Sequence, residues 1–156
     1  MTHSSPSLLS RRQMLAGGSG VLLISSLPLS AAHADQAQLQ AAKLKLFGSR
    51  PITEGRVSID MPPIAENGFS VPIRITVDSP MTEADHVRSI AILSPRNPVA
   101  ELVQFELGPR AGIADVSTRI RLAGTQSIQA IAEMSDGSLW SASQETVVTL
   151  AACVVL

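Results

Sequence analysis

The chain has 156 residues, room for one domain with a substantial core, and its 45% hydrophobic and 16% charged composition is that of a globular protein. A net charge of −1 gives no electrostatic footing for nucleic acid, and a single cysteine excludes an internal disulfide and a cysteine-cluster zinc site. Aromatics make up only 3%, so the core must be aliphatic.

Residues 1–34 read as an export address. Arg11 and Arg12 precede an apolar stretch from Met14 to about Ala32, and Ala32-His33-Ala34 supplies a small-x-small cleavage pattern. The paired arginines point to the twin-arginine (Tat) route. Gly17, Gly18, Gly20 and Pro28 interrupt the stretch, whose most apolar part, Val21 to Leu29, is too short to span a bilayer. Cleavage after Ala34 would leave ten basic and thirteen acidic residues, a net charge of −3, and no membrane segment.

Gln36 to Phe47 holds good helix formers, with Leu39, Ala42 and Leu46 on one face and Gly48 as the stop. From Arg56 the period changes to two. Strands are predicted over 56–61, 69–77, 87–93, 99–107, 115–122, 126–134 and 139–150. Pro62 to Gly68 reads as a turn with Asn67-Gly68 as its strongest signal, and Ser135-Asp136-Gly137-Ser138 as a hairpin loop. Pro72 argues for a sheet edge or a bulge. The fold expected is all-β: an immunoglobulin-like antiparallel β-sandwich of about seven strands with a short N-terminal helix. The organisation expected is a signal peptide over 1–34, a sandwich domain over 35–149 and a C-terminal arm over 150–156.

Few residues offer chemistry. His86 is the sole histidine after Ala34 and reads as a surface turn residue, which leaves no Ser-His-Asp set. Asp78, Glu83 and Asp85 fit no calcium-loop spacing and read as a solvated acidic loop. Arg119 and Arg121 alternate on a strand and, with Arg110, read as its wet side. Gly108 and Gly112 form a turn and not a nucleotide loop. No cofactor or metal site is expected. Cys153 remains as the candidate for covalent work, since a thiolate is a strong nucleophile. The residues alone leave two readings open. An extended tail past Thr149 would carry the thiol roughly 13 Å from the body. Alternatively, the β-branched and apolar stretch 146–156 continues a strand, with Cys153 as a small hydrophobe.

The stretch Met61 to Met81 (MPPIAENGFSVPIRITVDSPM) resembles SoxY, the sulfur-carrier subunit of the thiosulfate-oxidising Sox system. The likeness continues through Pro95-Arg-Asn-Pro98, Val103 to Pro109, Val116 to Leu122 and Asp136 to Trp140. It implies an immunoglobulin-like sandwich that forms a heterodimer with a SoxZ-like subunit in the periplasm. It also implies a carrier, not an enzyme, whose Cys153 is the covalent attachment site for sulfur intermediates while other Sox enzymes act on them. The family tail is Gly-Gly-Cys-Gly-Gly; here Ala151-Ala152-Cys153-Val154-Val155-Leu156 replaces every flanking glycine. Valine stiffens an arm that glycine would leave free. A non-carrier binding subunit whose arm has lost flexibility is therefore the alternative, and a disulfide-linked dimer through Cys153 a third possibility.

Overall fold

The computed structural model describes residues 31–152, with side chains from residue 36 onward. Most of the expected signal segment, and Cys153 with the three residues after it, lie outside the described residues.

The first element is helix α1, Ala31–Phe47, which begins five residues before the expected start and ends where Gly48 takes φ 65°. The Gly48 amide donates to Leu44 O at 2.9 Å, closing the last turn in the left-handed cap that glycine tolerates best. The buried helix positions are Leu39 and Phe47, with Leu46 half-buried beside them. Spaced at i, i+7 and i+8, they form one stripe.

Nine strands follow: β1 Ile52–Glu54, β2 Val57–Asp60, β3 Ile64–Ala65, β4 Val71–Val77, β5 Val87–Leu93, β6 Glu101–Glu106, β7 Ala114–Ile120, β8 Gln126–Met134 and β9 Leu139–Val148. Seven match the expected strands. The additional two, β1 and β3, are short and run parallel to β9; β3 lies inside the segment expected to be only a turn. The larger sheet has the order β1-β9-β8-β5-β6, with β3 also on β9, and the smaller has the order β2-β4-β7. All pairings other than the two short ones on β9 are antiparallel.

Between the sheets lies an aliphatic core that includes Ile73, Ile75, Ile90, Ile92, Ile128 and Leu122. Strand β4 alternates buried and outward residues along its length. Strands β5 and β8 do not: Ala91, Leu93 and Ile131 are buried on the opposite face, under Leu39 and Phe47 of α1. The helix therefore covers the outside of the larger sheet and makes a third layer. Runs such as Ile90-Ala-Ile-Leu93 are apolar without alternation because both faces are buried. Each large apolar side chain in that seam contributes about 2 kcal/mol, an upper figure since the unfolded chain already hides some of it.

Two expectations along β4 need adjustment. Phe69 does not begin the strand; it sits in the preceding turn, 53% exposed, its amide donating to Asn67 Oδ1 at 3.1 Å. Pro72 lies in the central strand of the smaller sheet, not an outer one. Pairing with β2 stops at Arg74, however, so at Pro72 the strand has β7 alone beside it. A residue without an N–H is tolerated at such a local edge. The expected Asp136-Gly137 hairpin joins β8 to β9, with Gly137 at φ 82°.

Candidate functional site

Strand β9 delivers the chain to its C-terminal tail. The sandwich has two ends. One holds the turns at 78–86, 107–113 and 135–138. The other holds the loops 61–70, 94–100 and 121–125 and the exit of β9. The candidate site is that second end, the root of the tail that carries Cys153.

The hydrogen bonds of β9 do not stop with the strand. Val147 N–H donates to Pro63 O at 2.8 Å and Thr149 N–H to Ala65 O at 3.1 Å. The Thr146 hydroxyl donates to Pro62 O at 2.8 Å, and that of Thr149 to Glu66 O. The tail then crosses the end of the smaller sheet. Gly68 N–H donates to Leu150 O at 2.6 Å, Leu122 N–H to Gly68 O at 2.9 Å, and Ala152 N–H to Leu122 O at 3.0 Å. Residues 150–152, assigned to the arm on sequence, are thus tied to the body up to the residue before Cys153.

Gly68 is the centre of this crossing. A Cβ there would lie 2.3 Å from Leu122 O, 3.1 Å from Ala152 N and 3.2 Å from Val148 Cγ1. Its φ is not in the left-handed region. Glycine is required here because the backbone of Leu122 and of Ala152 and the Val148 side chain occupy the space a Cβ would need. The turn expected at Asn67-Gly68 is present, and the tight packing around Gly68 is an additional reason for glycine there.

A buried polar network holds the loops that receive the tail. Ser94, Asn97 and Gln126 are all buried. The Ser94 hydroxyl donates to Gln126 Oε1, Gln126 Nε2 to Asn97 Oδ1 at 3.1 Å, and Asn97 N–H to Ser94 Oγ at 3.1 Å. Asn97 Nδ2 also donates to Arg121 O at 2.7 Å, and its Oδ1 accepts from Ala123 N–H at 3.0 Å. Leu122, the acceptor for the tail, is thereby held on both sides. Thr125, in the same loop, accepts Val148 N–H on its hydroxyl at 3.0 Å. Such a network, with its members satisfied by one another, fixes loop geometry. On sequence, Pro95-Arg-Asn-Pro98 stands out only as part of the likeness to the family. A polar residue between two prolines reads as exposed, and no local signal marks Asn97 as buried.

Charge is arranged unevenly. Arg50 pairs with Glu133 at 3.0 Å, Arg56 with Asp85 at 3.4 Å, Arg88 with Glu133 at 3.6 Å, and Arg74 with Asp115. The Arg74 guanidinium holds the Asp115 carboxyl below the usual carboxylate range through their hydrogen bonds. Among the described residues Arg96, Arg119 and Arg121 have no carboxylate within 4.0 Å, and all three are exposed at the tail end.

The other residues weighed on sequence fall elsewhere. His86 sits at the far end, its Nδ1 3.0 Å from Thr82 O and its amide donating to Ser135 Oγ at 3.2 Å. Asp85 is occupied with Arg56, and the described residues hold no group of three His, Cys, Asp or Glu that would bind a metal ion. Arg110 lies in a single 3-10 turn, 109–111, also at the far end. Cys153 itself is outside the described residues.

Comparison with known proteins fits this geometry. The comparison with curated proteins found no match. Among solved structures, the sulfur carrier protein SoxY from Chlorobium limicola f thiosulfatophilum is 30% identical. Its TM-score is 0.65, over 76% of this chain and 97% of that one. A superoxide reductase (neelaredoxin) from Ignicoccus hospitalis is 24% identical, with a TM-score of 0.54 over 60% of this chain and 80% of its own. A putative superoxide reductase from Thermotoga maritima is 23% identical, with a TM-score of 0.52 over 62% and 86%. The two reductases share the fold alone. The family described as "Sulfur oxidation protein SoxY" matches residues 43–153, a span that closes on the cysteine. With that span covering the sandwich and the tail root together, the chain belongs to the SoxY family of sulfur oxidation proteins.

Proposed function

We propose that the chain is a periplasmic sulfur carrier that holds thiosulfate-derived sulfur on Cys153 while separate enzymes act on it, and is not itself an enzyme. One observation carries this reading: the family match reaches residue 153, and the structure devotes one end of the sandwich to fixing the residues just before it. Joining a thiol to the outer sulfur of thiosulfate makes one S–S bond and releases one proton and two electrons. The carrier therefore works with a two-electron acceptor supplied by a redox partner protein. A fixed root offers the thiol at a defined place, which serves docking enzymes that must find it.

Export by the Tat route and pairing with a SoxZ-like subunit belong to the same proposal. In support of a β-rich partner, the sandwich is half-open along one flank. Leu102, Val103, Phe105 and Leu107, on and just after edge strand β6, and Val116 of edge strand β7 are only partly covered. Unpaired strand edges with apolar neighbours invite another chain to add on.

The attachment of Ala152 to the body also favours the alternative reading, in which the arm is too short and stiff to reach the Sox enzymes. Intact-mass analysis of the exported chain with its SoxZ-like partner, before and after turnover of thiosulfate with the Sox enzymes, separates the two. A sulfur-bearing adduct on the C-terminal peptide is expected from the natural tail. If it forms only after Ala151, Ala152, Val154 and Val155 are changed to glycine, the carrier reading of this chain fails. Elution of the chain as a lone monomer beside its partner would remove the heterodimer.

A further inference from the structure

We infer that the cleft between α1 and the outer face of the larger sheet, lined by Gln36, Lys43, Ser127, Gln129 and Ser143, is a binding site for a small oxyanion that carries a proton, the chemistry of inorganic phosphate and of bicarbonate. The site is built by a break in an apolar seam. Leu39, Lys43 and Phe47 are spaced i, i+4 and i+8 on α1, so all three lie on the stripe that faces the sheet. Leu39 and Phe47 are buried there against Ala91, Leu93, Ile131 and Leu139. Lys43, between them, is half-buried. Across the cleft the sheet turns polar as well. Gln129 and Ser127 share a face of β8 with Ile131, and Ser143 is the register partner of Gln129 on β9. Gln38 Nε2 donates to Pro98 O at 2.6 Å and pins this part of the helix. The cleft holds about 190 Å³, room for a tetrahedral anion and a few waters at about 30 Å³ each.

Two groups in the cleft lack a partner, and they ask for opposite halves of a ligand. Gln129 Oε1 is fully buried and accepts no hydrogen bond among the described residues. A buried acceptor left unfilled is costly, and native folds rarely leave one. Lys43 has no carboxylate within 4.0 Å among the described residues, whereas the exposed Lys45 pairs with Glu101 at 3.5 Å. Burial pushes the Lys43 amine below the usual lysine range, and a bound anion supplies the missing counter-charge. A water would fill Oε1 and leave Lys43 without a counter-charge. A fully deprotonated anion would pair with Lys43 and leave Oε1 unfilled. An oxyanion with one O–H serves both, and the exposed Ser127 and Ser143 hydroxyls at the mouth are donors for its remaining oxygens. Glu145, exposed and opposite Ser127 in register, works against an anion. With one lysine against it, the expected Kd is on the order of 1 mM. Nothing in the cleft involves Cys153 or depends on the carrier reading.

The only lysines in the chain are Lys43 and Lys45, so trace acetylation reads the site with an internal control. The protein is labelled with acetic anhydride at constant ionic strength near neutral pH, and the acetylated fraction of each lysine is read by peptide mass. At about 10 mM inorganic phosphate or bicarbonate, Lys43 labelling should fall about tenfold, as a Kd near 1 mM requires, while Lys45 labelling stays constant. The lower half-protecting concentration of the two decides between a tetrahedral and a planar ligand. Sulfate and nitrate, which have no O–H at this pH, should protect Lys43 about fivefold less at the same concentration. In Q129M the advantage of phosphate over sulfate should disappear. In K43Q phosphate binding, followed by the phosphorus resonance of the anion, should be lost, and in K45Q it should persist; circular dichroism confirms that each variant is folded. Equal protection of Lys43 by phosphate, sulfate and nitrate, or no protection by phosphate and bicarbonate, would overturn the site, and both comparisons use the natural chain.

Discussion

The two ends of one sandwich handle charge and strain in opposite ways. At the far end arginines meet carboxylates and the backbone is bent to fit. Arg56 takes φ 54° beside Gly55, donates to Asp78 O at 2.9 Å, pairs with Asp85 and lies over the Trp140 ring at 5.7 Å. Met81 is buried at φ 50° with its sulfur 3.4 Å from Val87 N. Non-glycine residues in that region cost about 1–2 kcal/mol, so this end is over-determined by its packing. The tail end has no such residues. Neutral buried side chains hold it together, and its guanidinium groups face solvent. The contrast separates an end closed by ion pairs and strained backbone from an end held by hydrogen bonds among neutral groups.

The sharpest way to break that contrast is at Gly68. Alanine would place a methyl carbon 2.3 Å from Leu122 O, a backbone atom that cannot swing aside. G68A should lower unfolding free energy by about 3 kcal/mol, the upper range for overpacking. The amides of Leu122 and Ala152 should lose most of their hydrogen-exchange protection while the β8–β9 hairpin keeps its own. Full protection at Ala152 in G68A would show that the crossing is not what fixes the tail. The next effect belongs to Asn97. In N97A the Ala123 amide, the Arg121 carbonyl and Gln126 Nε2 lose their partner, at a cost of about 2 kcal/mol. Local exchange should rise across 121–125 and at the tail root, and stay unchanged at 78–86. A uniform rise over the whole chain would mean that the two ends are not separate.

How much of this was written in the sequence depends on the range of the interaction. Alternation identified seven strands because it is local, and the Asp136-Gly137 hairpin followed from its turn chemistry. Strands β1 and β3 escaped notice because two or three residues carry no periodicity; they exist only because β9 lies beside them. The third layer was half visible: Gln36 to Phe47 read as a helix, but Phe47 was not assigned to its buried face, nor Ala91, Leu93 and Ile131 to the sheet beneath it. At the tail end the clues were present and ambiguous. Gly68 is a turn residue and Arg119 and Arg121 are on the wet side of a strand, as read, but their long-range partners, like those of Asn97, were not visible. Each takes its meaning from a segment 24 to 84 residues away, which no window on one sequence can see. The role expected of Cys153 came from resemblance and from no pattern around it.

The mildest test uses acid, because the hydrogen bonds described at the two ends differ in whether they involve a carboxylate. At the far end Asp136 accepts from the Ser138 hydroxyl at 2.6 Å and the Ser138 amide at 2.8 Å, and these bonds hold its carboxyl below the ordinary 3.8. A carboxyl whose folded value is depressed stabilises the fold fully above its unfolded value, and that stabilisation is lost as pH falls through the folded one. Asp115, held down by Arg74, acts with the same sign. Asp136 is exposed and Asp115 half-buried against the exposed Arg74, so the effect is small and confined to the window below about 3.8. Ser94, Asn97 and Gln126 do not titrate there at all. Between pH 5 and pH 3, protection factors at 135–138 should fall ahead of those at Leu122 and Ala152, and D136N should flatten the first trend without touching the second. If the tail root loosens first on acidification, its stability depends on carboxylates such as Glu66 or Glu145, and the electrostatic separation of the two ends is lost.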